Sequence, residues 1–320
     1  MSKHSDIAKA SPDQSSILAV SDTTKHYIRE SISKNTKRAY ASDLRAFRFW
    51  CEENKLAFPI ITSYHLADYL SFLAHTHKPS TLNRKIAAIK YYYYINQNDQ
   101  KIFSDPVLLE TLKGIRRDKG IVQNKKKPIT NELLKKMIEN IPDSFIGCRN
   151  KALLLIGFAG AFRRSELINI QLNDLSFNES GLVVKVRKSK TDQEGKGRAV
   201  AILKGNTCCP VEAISRWITL TNITSGFVFR RSFKSGRLSG EPISSQTVSL
   251  IVKHYIGLIG EDNTEYSAHS LRRGFLTSAA QNHADIFKMM AVSGHRSLDT
   301  LKEYIDDAQH FVGHAGAGLL

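Results

Sequence analysis

His269-Ser270-Leu271-Arg272, then Gly294-His295, then Tyr304 follow one another in a single stretch of this sequence. His269 and Arg272 stand at i and i+3, so a helix over Ser270 to Ala280 puts them on one face where both can address one ligand. Phosphate suits that pair. The guanidinium offers a planar fork of donors and the imidazole carries protons, which is what a pentacoordinate phosphorus transition state asks of side chains. Tyr304 is then the candidate nucleophile. A phenol ordinarily titrates near ~10, so at neutral pH it attacks only where cations stabilise the developing phenolate and a neighbour takes its proton. His295 lies nine residues earlier, at the head of a short helical segment from Ser297 to Ile305, and spacing alone does not fix its distance from Tyr304.

The chain of 320 residues is long enough for two domains, and its apolar fraction of 42% is ordinary for a globular protein. Its charge is not ordinary. Lys and Arg outnumber Asp and Glu 46 to 30, a formal charge of +16 that points to a polyanion, nucleic acid ahead of a membrane surface. Residues 1 to 127 hold 22 basic and 12 acidic side chains, so the first part reads as the polyanion clamp. Cys51, Cys148, Cys208 and Cys209 form no Cys-x-x-Cys pair, which argues against disulfides and a zinc site and fits a reducing cytosol. The first twenty residues lack an apolar signal core. The longest apolar run, Ala152 to Phe162, is about eleven residues against the ~20 that span a bilayer. The expected location is cytoplasmic, at the nucleoid, without a membrane.

The elements that position these groups can be read from periodicity. Residues 1 to 20 read as a flexible polar arm, and 21 to 117 as a helical domain. Tyr40, Leu44, Phe47 and Cys51 make one amphipathic stripe, with Arg38 and Arg45 opposite; Leu66 to Leu73 and Leu82 to Tyr93 make two more. Asp105-Pro106 caps a further helix. Periodicity stops over 118 to 128, where Lys125-Lys126-Lys127 precedes Pro128, a basic linker. The second domain, 129 to 308, opens with a helix over Asn131 to Ile141 and a buried run ending at Arg163-Arg164-Ser165-Glu166-Leu167. Leu182 to Arg187 and Arg198 to Leu203 flank a polar turn and predict a hairpin. The region beyond Pro210 reads as mostly helical, ending in a tail over 309 to 320.

On these residues the second domain resembles the catalytic domain of the tyrosine recombinases, the phage-integrase family of site-specific DNA recombinases. The helical domain resembles their core-binding, SAM-like domain. The fold class implied is mainly α with a small antiparallel β-sheet, the catalytic domain being mixed α/β. Five separated elements occur in the family's order: Arg163 in Gly160-Ala161-Phe162-Arg163-Arg164-Ser165-Glu166-Leu167, Lys190 in Ser189-Lys190-Thr191, His269 to Arg272, His295 and Tyr304.

The resemblance implies that Tyr304 attacks a phosphodiester to give a 3′-phosphotyrosyl link and a free 5′-hydroxyl. Arg163 and Arg272 would hold the non-bridging oxygens, Lys190 would protonate the leaving oxygen, His269 would move the nucleophile's proton, and His295 would hydrogen-bond the phosphate. The phosphoester is conserved, so no cofactor, ATP or metal is called for. The implied partners are double-stranded DNA with an inverted-repeat core site and three further copies of the chain, a homotetramer on two DNA sites joined through a Holliday junction. Accessory proteins that set direction would be additional partners. The tail would pack in trans on a neighbour, and the short arm implies a single class of core-type site.

Several readings stay open on sequence alone. Arg164 competes with Arg163 for the phosphate, and Lys188 and Lys196 compete with Lys190. Glu166 reads as a structural residue that orients a basic neighbour. Lys37, Arg38, Arg84, Lys85, Lys90, Lys125, Lys126 and Lys127 are candidate phosphate contacts, the alternative being solvated faces. In Tyr91-Tyr92-Tyr93-Tyr94, Tyr93 continues an apolar stripe and reads as core. A type IB topoisomerase would share the tyrosine chemistry and relax supercoils without partner exchange, and a catalytically silent DNA-binding regulator would keep the fold. The separate helical domain and the hydrophobic tail favour recombination over the first, and the full set of candidate catalytic residues argues against the second.

Overall fold

A computed structural model of the chain describes residues 21–96, 98–120, 125–187, 197–233 and 235–309. Two compact units divide between Gln123 and Asn124. The first contains α1 (Asp22–Glu30), α2 (Lys34–Glu53), α3 (Ser63–Ala74), α4 (Pro79–Ile95) and α5 (Pro106–Lys119). Their starts are local chemistry: Ser21, Ser33, Thr62 and Asp105 each accept a first-turn N–H. Pro79 and Pro106 occupy first-turn positions, where a missing N–H costs nothing. Phe47 and Cys51 of α2, Leu66, Tyr69 and Leu70 of α3, Leu82, Ile89 and Tyr93 of α4, and Leu108 of α5 close one core. Tyr93 is buried and Tyr94 is exposed, as the stripe requires. α5 continues through Asp118 and Lys119, two residues that the loss of apolar periodicity had assigned to the linker.

The second unit runs through α6 (Asn131–Glu139), α7 (Phe145–Ala159) and α8 (Arg164–Ile168) into a three-stranded antiparallel sheet of β1 (Leu175–Asn178), β2 (Gly181–Val186) and β3 (Arg198–Leu203). Then come α9 (Pro210–Thr221), a two-stranded hairpin of β4 (Arg230–Ser232) and β5 (Leu238–Pro242), and α10 (Ser245–Leu258), α11 (Ala268–Gln281), α12 (Ile286–Ser293) and α13 (Leu298–Gln309). In the β2–β3 pair Leu182 faces Ile202, Val184 faces Val200 and Val186 faces Arg198. The apolar members of these pairs are buried, the alternation expected of a sheet with one face on the core.

Two pairings escaped the sequence reading. β1 is four residues long and largely exposed, and β4–β5 interrupts a region read as helical with strands of three and five residues that bury little. Such strands are defined by their partners and leave no hydrophobic alternation to read. α7 is buried on most of its circumference, with Ala152, Leu153, Leu154 and Ile156 at 0% exposure. Its apolar run is therefore core, and no described helix is long and apolar enough to cross a membrane.

α11 lies at the centre of this unit because backbone can approach it closely. The Ile129 N–H donates to the Ser270 carbonyl at 3.0 Å, and a Cβ on Gly274 would land on the Ile129 carbonyl oxygen, well inside van der Waals contact. Gly274→Ala must push the 125–129 segment away from α11. We expect a loss of about 2 kcal/mol, or roughly 5 °C in the melting midpoint by calorimetry, from that overpacking; an unchanged midpoint would show that the segment yields freely.

Candidate active site

Arg272, in the first turns of α11, is only 1% exposed. Its Nη1 donates to the carbonyls of Ala161 at 2.8 Å and Ser293 at 2.6 Å, and its Nη2 lies 2.9 Å from His295 Nε2. Ala161 has a left-handed backbone, φ 46°, a costly conformation for a residue with a Cβ; it ends α7 in a turn whose carbonyl accepts the guanidinium. Arg163 precedes α8. Its Nη1 donates to Glu166 Oε1 at 2.7 Å, its backbone N–H to Glu166 Oε2 at 3.1 Å, and its Nη2 reaches the Gly294 carbonyl at 3.5 Å. Arg164 is exposed. Of the two competing arginines, Arg163 is thus the one gathered with Arg272 and His295.

Glu166 holds a second cation, Arg198, the first residue of β3, whose Nη2 donates to Oε2 at 3.0 Å. Arg198 Nη1 also donates to the Val292 carbonyl. Three arginines from three elements therefore end on three consecutive carbonyls, those of Val292, Ser293 and Gly294. A helix leaves its last carbonyls unpaired, the negative end of its dipole, so the C-terminus of α12 is where these cations can be kept in a buried site. Gly294 terminates that helix with φ 67°, and the chain then delivers His295.

The histidine's tautomer is fixed by its neighbours. Ser293 Oγ donates its one proton to the Met289 carbonyl at 2.7 Å, so it must accept from His295 Nδ1, 2.8 Å away. Arg272 can only donate, and its nearer ring contact, 2.9 Å to Nε2 against 3.4 Å to Nδ1, puts the lone pair on Nε2. Both constraints give a neutral imidazole protonated at Nδ1. Burial, followed by the charges of Arg272 and Arg163, accordingly pushes the His295 pKa down to about 3. His269 keeps an edge open to solvent; crowding by protein, then the charges of Arg272, Arg273 and Arg163, lower its pKa to about 4. Arg272 is itself drawn down to about 10, by burial first and Arg163 next, and stays charged at neutral pH.

These shifts predict that neither imidazole titrates between pH 6 and 8 in the free protein, to be checked by NMR of the two rings. The unfolded-state value is near ~6.5, so below it the unfolded chain binds more protons than the native one. The two histidines' contribution to stability is full above about pH 6.5 and is lost as the pH falls toward 4 and then 3. A His295 ring titrating near 6.5 in the folded protein would contradict the tautomer assignment.

Tyr304, on α13, is 7% exposed and packs against Leu276, Met289 and Leu301. Its ring centroid is 6.2 Å from that of His295, and the Arg273 guanidinium carbon lies 5.4 Å from the same ring centroid. Arg163, Arg272, His295 and Tyr304 therefore gather at one turn, and the exposed His269 lies near enough to feel the charges of Arg272, Arg273 and Arg163. Lys190 and its competitors Lys188 and Lys196 lie outside the described residues, as do residues 1–20 and 310–320. Arg198 and Arg273 were not among the sequence candidates. Arg198 did leave a signal: it shares parity with Val200 and Ile202, and a cation on the inward face of a strand needs a buried partner.

The candidate phosphate contacts divide. Lys37 pairs with Glu30 at 2.6 Å, Arg38 is exposed and donates to Asn35 at 2.7 Å, and Lys90 and Lys125 are exposed. Lys85 needs correction as a surface contact. It is 7% exposed, with its ammonium 3.4 Å from the buried carboxylate of Asp43, to which Arg84 also bonds. Asp43 would otherwise be a buried, uncompensated charge, so this triad ties α2 to α4. Lys126 donates to the Thr264 carbonyl and Lys127 pairs with Glu265, which anchors this end of the linker to the second unit.

A helical unit followed by a unit that collects arginines, histidines and a tyrosine around one turn is the arrangement of the tyrosine recombinases. The phage integrase family model matches residues 127–310, and the phage integrase N-terminal SAM-like domain matches residues 25–96. An integrase/recombinase XerD homolog of Selenomonas ruminantium is 34% identical over 299 residues, covering 91% of this chain and 87% of that protein. Tyrosine recombinase XerD of Vibrio cholerae is 26% identical over 304 residues, 92% of each. Among solved structures, the XerH site-specific recombinase bound to palindromic difH substrate has a TM-score of 0.66 at 19% identity, over 85% of this chain and 76% of that one. The Tn1549 transposon integrase in complex with transposon right end DNA has 0.62 at 18%, over 88% and 92%; both likenesses are of fold. The chain belongs to the phage integrase family, the tyrosine site-specific recombinases.

Proposed function

We propose that this protein cuts and rejoins DNA by transesterification through Tyr304, exchanging strands between two inverted-repeat core sites. The observation that supports this most directly is the convergence of Arg163, Arg272 and His295 on the turn beside Tyr304. A phosphodiester entering there competes with the carbonyls of Ser293 and Gly294 for the two guanidinium groups and offers them a full negative charge, which a charge-assisted bond favours. The Tyr304 oxygen attacks phosphorus as its proton passes to His269. The 5′-oxygen departs, taking a proton from Lys190. One phosphoester forms and one breaks, so neither ATP nor a metal enters the balance.

His295 begins with a lone pair on Nε2, and a dianionic phosphorane beside it raises its proton affinity; a proton taken up from solvent on Nε2, and returned when the phosphorane collapses, lets it donate to a non-bridging oxygen where charge develops. A 5′-hydroxyl from a partner duplex reverses the step. Two rounds pass through a four-way junction held by four copies of the chain, with the C-terminal tail of each packed on a neighbour. Lys37, Arg38, Arg84, Lys90, Lys125, Lys126 and Lys127 serve as backbone contacts, exchanging present partners such as Glu30, Asn35 and Glu265 for phosphate. The test uses full-length protein and labelled duplexes taken from DNA flanking its gene that carry inverted repeats around a short spacer. The expected product is an adduct stable to detergent, with a free 5′-hydroxyl end, and then strand exchange between two duplexes. Relaxation of supercoils without exchange would instead assign a topoisomerase, and a bound duplex that never yields an adduct would assign a silent binding protein.

A further inference from the structure

Arg198 is bonded through Nη1 and Nη2 to two parts of the molecule that carry candidate reacting groups, and its buried Nε has no hydrogen-bond partner among the described residues. Its side chain is 18% exposed. Nη2 is committed to Glu166, and Nη1 to Val292, with Ala291 at 3.5 Å. The guanidinium carbon lies 6.0 Å from the Phe162 ring centroid. On the remaining side Gly294 is so close that a Cβ there would stand 2.7 Å from Arg198 Nε. Burial lowers its pKa while Glu166 raises it.

We infer that Arg198 is a positioning residue for the phosphate grip in the proposed reaction. It acts through Glu166 on Arg163, and through Val292 and Gly294 on His295. Glu166 alone could orient Arg163 in more than one way, because a carboxylate accepts from many directions. With Oε2 shared between the Arg163 N–H and Arg198, and Oε1 left for Arg163 Nη1, one rotamer satisfies all three bonds. On the other side, Arg163 and Arg272 must release the carbonyls of Gly294 and Ser293 when phosphate arrives. The α12 terminus then loses two of its three cationic caps, and Arg198 is the one that remains to keep His295 in place. Gly294 serves twice here, since its left-handed backbone turns the chain and its missing side chain admits Arg198.

Lysine cannot replace this function, because one ammonium on a flexible stem does not bridge a carboxylate and a carbonyl in a fixed plane. The test compares full-length wild type, Arg198→Lys and Arg198→Met on the duplex that wild type cleaves, and on the same duplex with sulfur in place of the 5′-bridging oxygen. A sulfur leaving group needs no proton, so that substrate removes dependence on the leaving-group acid. We expect Arg198→Lys to form adduct about 30- to 100-fold more slowly on both substrates, the scale of a misplaced reacting group, with DNA binding within about twofold and a cooperative melt. Arg198→Met should behave alike; if it does not fold, the lysine variant decides.

Three results would overturn the inference: a loss below about threefold on the ordinary duplex, recovery on the sulfur duplex, or binding that falls in step with cleavage. Recovery would place Arg198 on the leaving-group side of the reaction. The inference rests on the proposed reaction, and wild type that makes adduct on neither substrate would remove that reaction itself.

Discussion

Tyr304→Phe is expected to bind DNA as wild type does and to form no covalent adduct. The ring is held by its environment: Leu276, Met289 and Leu301 pack around it, and Arg273 faces it. Phenylalanine keeps those contacts and loses one oxygen, so fold and DNA affinity should change little. The chemistry should vanish, because deleting a nucleophile leaves only what positioning and charge can do with water. For nucleophilic enzymes that loss is at least about 10⁴-fold. Detergent-resistant adducts, band-shift affinity and the melting midpoint, measured on one preparation, separate the possibilities. Adducts that persist would mean that another residue attacks; affinity that collapses would mean that the hydroxyl supports the fold.

Much of this site is legible in the amino-acid sequence. His269, Arg272, His295 and Tyr304 carry their meaning in type and order, and the α11 stripe supplies a helix to hold the first two. The β2–β3 hairpin is legible because β-branched residues flank a polar turn. The hidden part is tertiary. Arg198 meets Glu166 across 32 positions and Val292 across 94, and no local pattern reports that a strand's first residue will cap a distant helix. Lys85 was misread for the same reason. Its helix face looks solvated until Asp43, forty-one positions before Arg84, is seen to lie beneath both cations. The choice between Arg163 and Arg164 turned on Glu166, whose carboxylate takes the first and leaves the second in solvent.

Arg272→Ala should be the most damaging change that leaves Tyr304 in place. Removing one donor from a preorganised anion site costs about 10² to 10³ in rate, and here a full charge with two donor-bearing nitrogens is lost. A fall of at least about 10³ in adduct formation is expected. The bonds that Arg272 makes add two further effects. The carbonyls of Ala161 and Ser293 lose their donor, so the melting midpoint should drop, and His295 loses its nearest cation, so its pKa should rise from about 3. Arg272→Lys restores the charge but cannot reach Ala161, Ser293 and His295 together, so it should recover His295's low pKa better than the rate.

Mixing Arg272→Ala with Tyr304→Phe then asks which chain supplies the nucleophile. Tyr304 lies beside His295, which Arg272 of the same chain holds, so each copy should cut with its own tyrosine. A mixed assembly then pairs every intact tyrosine with a site lacking Arg272, and every intact site with phenylalanine. No adduct should form. Recovery of adduct in the mixture would show that Tyr304 leaves this pocket for a neighbour's on DNA, and that the ring contacts seen here belong to the chain before it engages its substrate.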